Sequence, residues 1–172
     1  HVIRSISAAG NVTTLAGAVG ATGSVDGTGS AARFSFPAGI AVDTGGNIYV
    51  SDTSNHTIRR VSSSGQVSTF AGTAGQSGSA NGNGTAARFA FPNGLVTAPG
   101  GILYVADSFN HMIRRITVLG EVTTLAGAAG QAGSTDANGV AARFNQPIGV
   151  AVDSLGNVYV AEAANNRIQK FS

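Results

Sequence analysis

The chain has 172 residues, 25 of them Gly, with ten basic and eight acidic side chains and neither Cys nor Trp. Without sulfur ligands there is no disulfide framework and no zinc–thiolate site. Hydrophobic residues at 42% against a net charge of +2 describe a chain that collapses, not a disordered tail. No apolar run approaches the roughly 20 residues of a membrane helix, which predicts a soluble chain forming one domain. The small basic excess is scattered, so it is weak evidence for nucleic acid. The chain begins at His1 without a charged-then-apolar leader, and it reads as a mature chain or an excised piece.

In chain order, residues 1–17 hold two short apolar segments, the second being Val12-Thr13-Thr14-Leu15-Ala16. Residues 18–72 begin with a connector rich in Gly, Ser and Ala. Four segments follow, Gly39 to Asp43, Asn47 to Asp52, Thr57 to Val61 and Gln66 to Ala71, separated by Thr44-Gly45-Gly46, Thr53-Ser54-Asn55-His56 and Ser62 to Gly65. Runs of about five residues carrying Ile, Val, Thr, Tyr and Phe suit pleated strands and are too short for typical helices. Residues 73–127 repeat this order, and residues 128–172 repeat it without a fourth segment.

The period is 55 residues without an insertion. It relates Ala32-Arg33-Phe34 to Ala87-Arg88-Phe89 and Ala142-Arg143-Phe144, and Pro37 to Pro92 and Pro147. It also aligns His1-Val2-Ile3-Arg4 with His56-Thr57-Ile58-Arg59, so the array starts and stops within a repeat. Each period predicts a four-stranded antiparallel meander, and three in tandem predict an all-β propeller with one blade per period. Three blades do not close a ring, because at least about four are needed. The expectation is a ring completed by a second copy or by missing repeats. In the first case a two-fold homodimer forms, each copy giving its N-terminal strands to the other's last blade. An end-to-end polymer, such as a subunit of an extracellular fibre, is the other self-associating alternative.

The string Phe36-Pro37-Ala38-Gly39-Ile40-Ala41-Val42-Asp43, then Gly46-Asn47-Ile48-Tyr49-Val50-Ser51-Asp52 and Asn55-His56-Thr57-Ile58-Arg59-Arg60-Val61, resembles an NHL repeat. The second copy fits through Tyr104-Val105-Ala106-Asp107 and Asn110-His111-Met112-Ile113-Arg114. The third departs at the name-giving triplet, Asn165-Asn166-Arg167. The resemblance implies six blades per ring. It leaves function open, because such propellers serve as lyases, lactonases, RNA binders and protein scaffolds. Amidating lyases of similar fold place zinc-binding histidines just after the proline that opens the innermost strand. Those positions here are Ala38, Asn93 and Ile148, so that site is missing and no cofactor is expected.

His1, His56 and His111 occupy one repeat position. Copies on successive blades radiate from the axis and cannot converge on one metal, so they are expected to be turn residues, with Asn55 and Asn110 bonding local backbone. Asp52, Asp107 and Glu162 recur at one position and Arg33, Arg88 and Arg143 at another. A repeated acid and a repeated Arg predict a structural ion pair or backbone-bonding network used once per blade. The acids that break the repeat, Glu121 and the pair Asp43 and Asp153, have no evident partner, and Asn93 with Asn145 is a thin basis for a calcium site. The Arg59-Arg60 and Arg114-Arg115 pairs are the best footprint for RNA, yet strand neighbours point to opposite faces, and Lys clusters are lacking. Asn11, Asn55 and Asn83 head glycosylation sequons.

The expectation is a non-enzymatic structural or protein-interaction scaffold, at the cell surface or outside the cell. Its partners are itself and proteins or glycans on its loop faces, without membrane or nucleic-acid binding. The alternative is a metal-dependent lactonase or lyase-type enzyme with its site at the channel.

Overall fold

A computed structural model describes residues 1–171, and Ser172 lies outside them. Glycine-containing turns cut the chain into short strands. A half-blade comes first, β1 (Val2–Ile6) paired antiparallel with β2 (Val12–Gly17). Blade 1 follows with β3 (Gly27–Thr28), β4 (Pro37–Val42), β5 (Ile48–Asp52), β6 (Thr57–Val61) and β7 (Gln66–Ala71). Blade 2 comprises β8 (Gly82–Asn83), β9 (Pro92–Ala98), β10 (Ile102–Asp107), β11 (Met112–Ile116) and β12 (Glu121–Gly127). Blade 3 comprises β13 (Pro147–Val152), β14 (Val158–Glu162) and β15 (Arg167–Phe171).

The sheet orders β3-β7-β6-β5-β4, β8-β12-β11-β10-β9 and β13-β14-β15 are antiparallel meanders. One element was not foreseen. Each of the first two blades carries a fifth strand of two residues, because the connector runs along the outermost strand before turning inward, pairing Gly27 with Val67 and Gly82 with Val122. The connectors are therefore pinned to the sheet and are not free crossings.

The innermost strands β4, β9 and β13 lie side by side, and the close approach there requires glycine. A Cβ at Gly94 would lie 2.5 Å from the Ile148 carbonyl oxygen, and one at Gly39 would collide with the Asn93 carbonyl.

The cores form between blades, not within them. Ile3 and Ala16 of the half-blade pack with Phe34, Val50, Val61 and Val67 of blade 1. The same arrangement joins Ile58 and Ala71 to Phe89, Val105, Ile116 and Val122, and joins Ile113 and Ala126 to Phe144, Val158 and Val160. Each seam is wedged by one fully buried connector phenylalanine, Phe34, Phe89 or Phe144, worth about 1.5–3 kcal/mol in transfer free energy.

Candidate functional site

Two sets of polar contacts recur from blade to blade: a node inside each blade and a set of stitches across each seam. In blade 1 the buried Asp52 carboxylate accepts from Ser35 N (2.7 Å), Asn55 Nδ2 (2.7 Å) and Arg59 Nη1 (2.8 Å). Arg59, also fully buried, reaches the connector through Arg33 O, Val25 O and Asp26 Oδ1, and its guanidinium lies 5.3 Å from the Phe34 ring centroid. Blade 2 repeats this with Asp107 accepting from Ala90 N, Asn110 and Arg114, while Arg114 bonds Arg88 O, Ala80 O and Asn81 Oδ1.

Burial raises Asp52 above the usual carboxylate range and raises Asp107 to about 6, against the opposing pull of the guanidinium and the N–H donors. Taking a charge out of water is costly unless it is paired and hydrogen-bonded, and the nodes supply both.

Of the two arrangements the sequence left open for the repeated Arg, an ion pair or a backbone-bonding network, Arg33, Arg88 and Arg143 adopt the second, because each donates from Nη1 to carbonyls of its own connector, Ser30 and Ala32 in the first copy. The acids pair instead with Arg59, Arg114 and Arg167. The Arg59-Arg60 pair splits as strand alternation demands, but its first member is buried in a node and offers nothing to RNA. Asn55 and Asn110 bond distant backbone, Gly23 O at 2.7 Å and Gly78 O at 2.6 Å, as well as the local acid. Asn55 Nδ2 is thus engaged twice in the folded chain, by Gly23 O and by Asp52 Oδ2. Asn11 and Asn83 are exposed.

Asp43 and Asp153, read as acids without partners, close turns. Asp43 accepts from Gly45 N, Asn47 N and Nδ2, and Tyr49 OH, and Asp153 does the same with Leu155, Asn157 and Tyr159. The asparagine side-chain bond is the largest influence holding each below its ordinary pKa. Glu121 stands exposed at the start of β12.

The histidines act across seams. His56 and His111 take left-handed φ values of 59° and 58° at the turn before the third strand. Each Nδ1 accepts from a backbone N–H of the following blade, Phe91 N to His56 and Gln146 N to His111, both at 3.2 Å. His1 receives Phe36 N at 3.0 Å. Burial lowers the pKa of His56 and of His111.

Hydroxyl stitches lie beside them. Thr53 Oγ1 donates to Pro92 O at 2.7 Å and Ser108 Oγ to Pro147 O at 2.5 Å. Ser51 Oγ bonds the Asn93 carbonyl and accepts Gly39 N, and Thr97 Oγ1 donates to Val42 O. The hydroxyl positions were not singled out from sequence, although Thr53 and Ser108 recur at the 55-residue spacing.

Blade 3 departs from both patterns. Ala163 and Asn166 stand where Thr53 and Ser108, and His56 and His111, stitch the earlier seams. Its node is rewired as well, with Glu162 accepting from Asn145 N, Asn165 Nδ2 and Arg167 Nε. Among the described residues no three His, Cys, Asp or Glu side chains are grouped as metal ligands would be. The recurrent polar groups bond backbone and one another, an arrangement suited to rigidity.

Radial blades with apolar seams and adjacent innermost strands define a β-propeller. The NHL repeat family model matches residues 34–61 and 144–171. The chain belongs to the NHL-repeat family. It is 30% identical over 116 residues to NHL repeat-containing protein 3 of Homo sapiens, covering 67% of this chain and 31% of that protein. Among solved structures it resembles an auxiliary nutrient binding protein from Bacteroides ovatus, with TM-score 0.71 and 26% identity over 83% of this chain and 38% of the other. It also resembles virginiamycin B lyase from Staphylococcus aureus, with TM-score 0.61 and 16% identity over 99% of this chain and 48% of the other. The latter likeness is one of fold. The chain thus spans about a third to a half of these proteins' lengths.

Proposed function

We propose that the chain works as a non-enzymatic scaffold that associates through its open blade seams. The observation that carries this reading is Ile168. Its repeat counterparts Ile58 and Ile113 are fully buried in seams, whereas Ile168 is 69% exposed on the outward face of blade 3. The half-blade has the matching deficit: Ile6 is 71% exposed, while Val61 and Ile116 at its repeat position are fully buried. Covering each such side chain with a neighbouring blade contributes about 1.5–3 kcal/mol.

Strand exchange has a definite geometry on this reading. β1 pairs with β2 as β11 pairs with β12, Ile3 opposite Ala16 and Ile113 opposite Ala126. β15 is the repeat equivalent of β1, so both strands need the same edge of an outermost strand. A second copy therefore completes blade 3 by laying its β2 along the free edge of β15 in place of its own β1, so that Ile168 meets the partner's first blade as Ile3 meets blade 1 here. Further repeats of a longer chain would supply the same surfaces without exchange.

Molar mass by light scattering tests the reading. A species near twice 17.0 kDa that reverts to monomer on Ile168→Asp substitution supports it, and a folded monomer at all concentrations overturns it. A stoichiometric metal ion that survives dialysis would overturn the non-enzymatic part in favour of a lactonase or lyase-type activity.

A further inference from the structure

The first two nodes differ at one connector position. In blade 1 the Arg59 guanidinium is held between two carboxylates, the buried Asp52 and the connector's Asp26. Asp26 Oδ1 accepts from Arg59 Nη2 at 2.5 Å and from Thr69 Oγ1 at 3.2 Å, and its Oδ2 accepts from Thr69 N at 3.2 Å. Blade 3 also has an acid at this repeat position, Asp136, 3.4 Å from Arg167 Nη2. Blade 2 has Asn81. Its Oδ1 accepts from Arg114 Nη2 at 2.8 Å and from Thr124 Oγ1 at 3.3 Å, but Nδ2 replaces the second acceptor oxygen and has no partner among the described residues. An amide nitrogen only donates, so a setting suited to a carboxylate holds an amide.

The next residue supplies a route from one to the other. Asn81 is followed by Gly82, and a residue without a side chain lets its backbone nitrogen approach the preceding side-chain carbonyl. Asn83, Asn93 and Asn138 also precede glycine. Among the described residues none of those three side-chain carbonyls meets a guanidinium, whereas Asn81 Oδ1 lies on the fully buried Arg114, itself fixed by Asp107 and the carbonyls of Arg88 and Ala80. Asn81 is exposed, so water reaches it.

We infer that Asn81 is a site of spontaneous deamidation, and that its aspartate product completes the blade 2 node as Asp26 completes that of blade 1. The Gly82 nitrogen attacks Asn81 Cγ, and a cyclic imide closes as the N–Cγ bond forms and the Cγ–Nδ2 bond breaks. Nδ2 leaves as ammonia, taking the Gly82 proton. Water then adds to Cγ, the N–Cγ bond opens, and a proton from that water returns to the Gly82 nitrogen, leaving a carboxylate where the amide stood. Negative charge gathers on Oδ1 in both additions, and Arg114 Nη2 is already aimed at that oxygen, as preorganised donors are where charge develops. The guanidinium activates Cγ and not the main-chain carbonyl of the ring, so normal aspartate forms in preference to the isoaspartyl linkage. The product offers a second acceptor oxygen to Thr124, as Asp26 does to Thr69.

Peptide mapping by mass spectrometry of the folded protein aged in mildly alkaline buffer, with aspartate and isoaspartate separated by chromatography, tests this. Conversion at Asn81 is expected ahead of Asn83, Asn93 and Asn138. Aspartate should be the main product in the folded protein, and isoaspartate in urea, where Arg114 no longer meets Oδ1. Gly82→Ala, using the residue blade 3 carries as Ala137, should slow the conversion severalfold, and Asn81→Asp should raise the thermal midpoint. Asn81 persisting as an amide overturns the inference, as does a product ratio that is the same in folded and urea-treated protein. A midpoint that stays or falls in Asn81→Asp also overturns it, because the setting then has no preference for the acid.

Discussion

Glu162 and Arg167 face each other across β14 and β15, with Arg167 Nε donating to Glu162 Oε1 at 2.6 Å, where earlier blades set Asp52 opposite Thr57 and Asp107 opposite Met112. The usual node arginine is gone from blade 3, since Gln169 occupies the position of Arg59 and Arg114. Arg167 supplies the guanidinium from two residues earlier and also donates to Gln169 Oε1 at 2.5 Å. The acid, longer by one methylene, and the displaced cation form an alternative solution to one packing problem.

That substitution pattern predicts strong coupling. Glu162→Asp and Arg167→Thr should each destabilise by about 1–3 kcal/mol, the cost of leaving a buried charged group short of partners. The triple change Glu162→Asp/Arg167→Thr/Gln169→Arg restores the blade 1 arrangement and should regain most of the loss. Urea unfolding of the singles and the triple measures it, and losses that simply add would show that the three positions act independently.

A buried node arginine and a surface one should differ sharply. Arg114 is fully buried against Asp107, while Arg60, the second member of its own pair, is exposed on the other face of β6. Arg114→Leu leaves the Asp107 carboxylate buried without its cation and should cost about 3–5 kcal/mol. Arg60→Ala should stay within about 0.5 kcal/mol, as surface changes do. Chemical denaturation of the two variants side by side decides it, and similar losses would mean that the node does not hold the blade.

The propeller was legible because its signals are local and repeated: strand-sized apolar runs, turn residues between them, and a period of 55 kept without insertion. The choice of arginine was not. Arg33 recurs in all three copies and Arg59 in the first two, and only the backbone path shows that Arg59 lies inside the sheet with Asp52 while Arg33 turns back on its own connector. Spacing likewise places the histidines in turns but does not reveal the left-handed φ of His56, which brings its Nδ1 to Phe91 N of the next blade 35 residues on. The exposure of Phe36 and Phe91 was no more legible, since both take a positive φ that sequence does not announce.

The seam histidines make stability depend on pH in a direction that can be worked out. The Nδ1 atoms of His56 and His111 accept N–H bonds, and burial holds both groups below their ordinary pKa of 6.5. The unfolded chain therefore takes up these protons first. The histidine contribution is fully present above pH 6.5 and is lost as pH falls through the lowered folded-state values. Asp107 works in the opposite sense. Its folded value is raised to about 6, so its contribution grows as pH falls from there toward the ordinary carboxylate range. The histidine part must be read as a difference between the protein and a His56→Asn/His111→Asn variant, asparagine being the residue blade 3 carries at Asn166 with φ 51°. At pH 7.5 the unsubstituted protein should be the more stable by about 1–3 kcal/mol, the worth of two hydrogen bonds. As pH falls below 6.5 that advantage should shrink in urea unfolding. A gap that stays constant across this range would mean that the imidazoles fill space at the seams without their hydrogen bonds contributing.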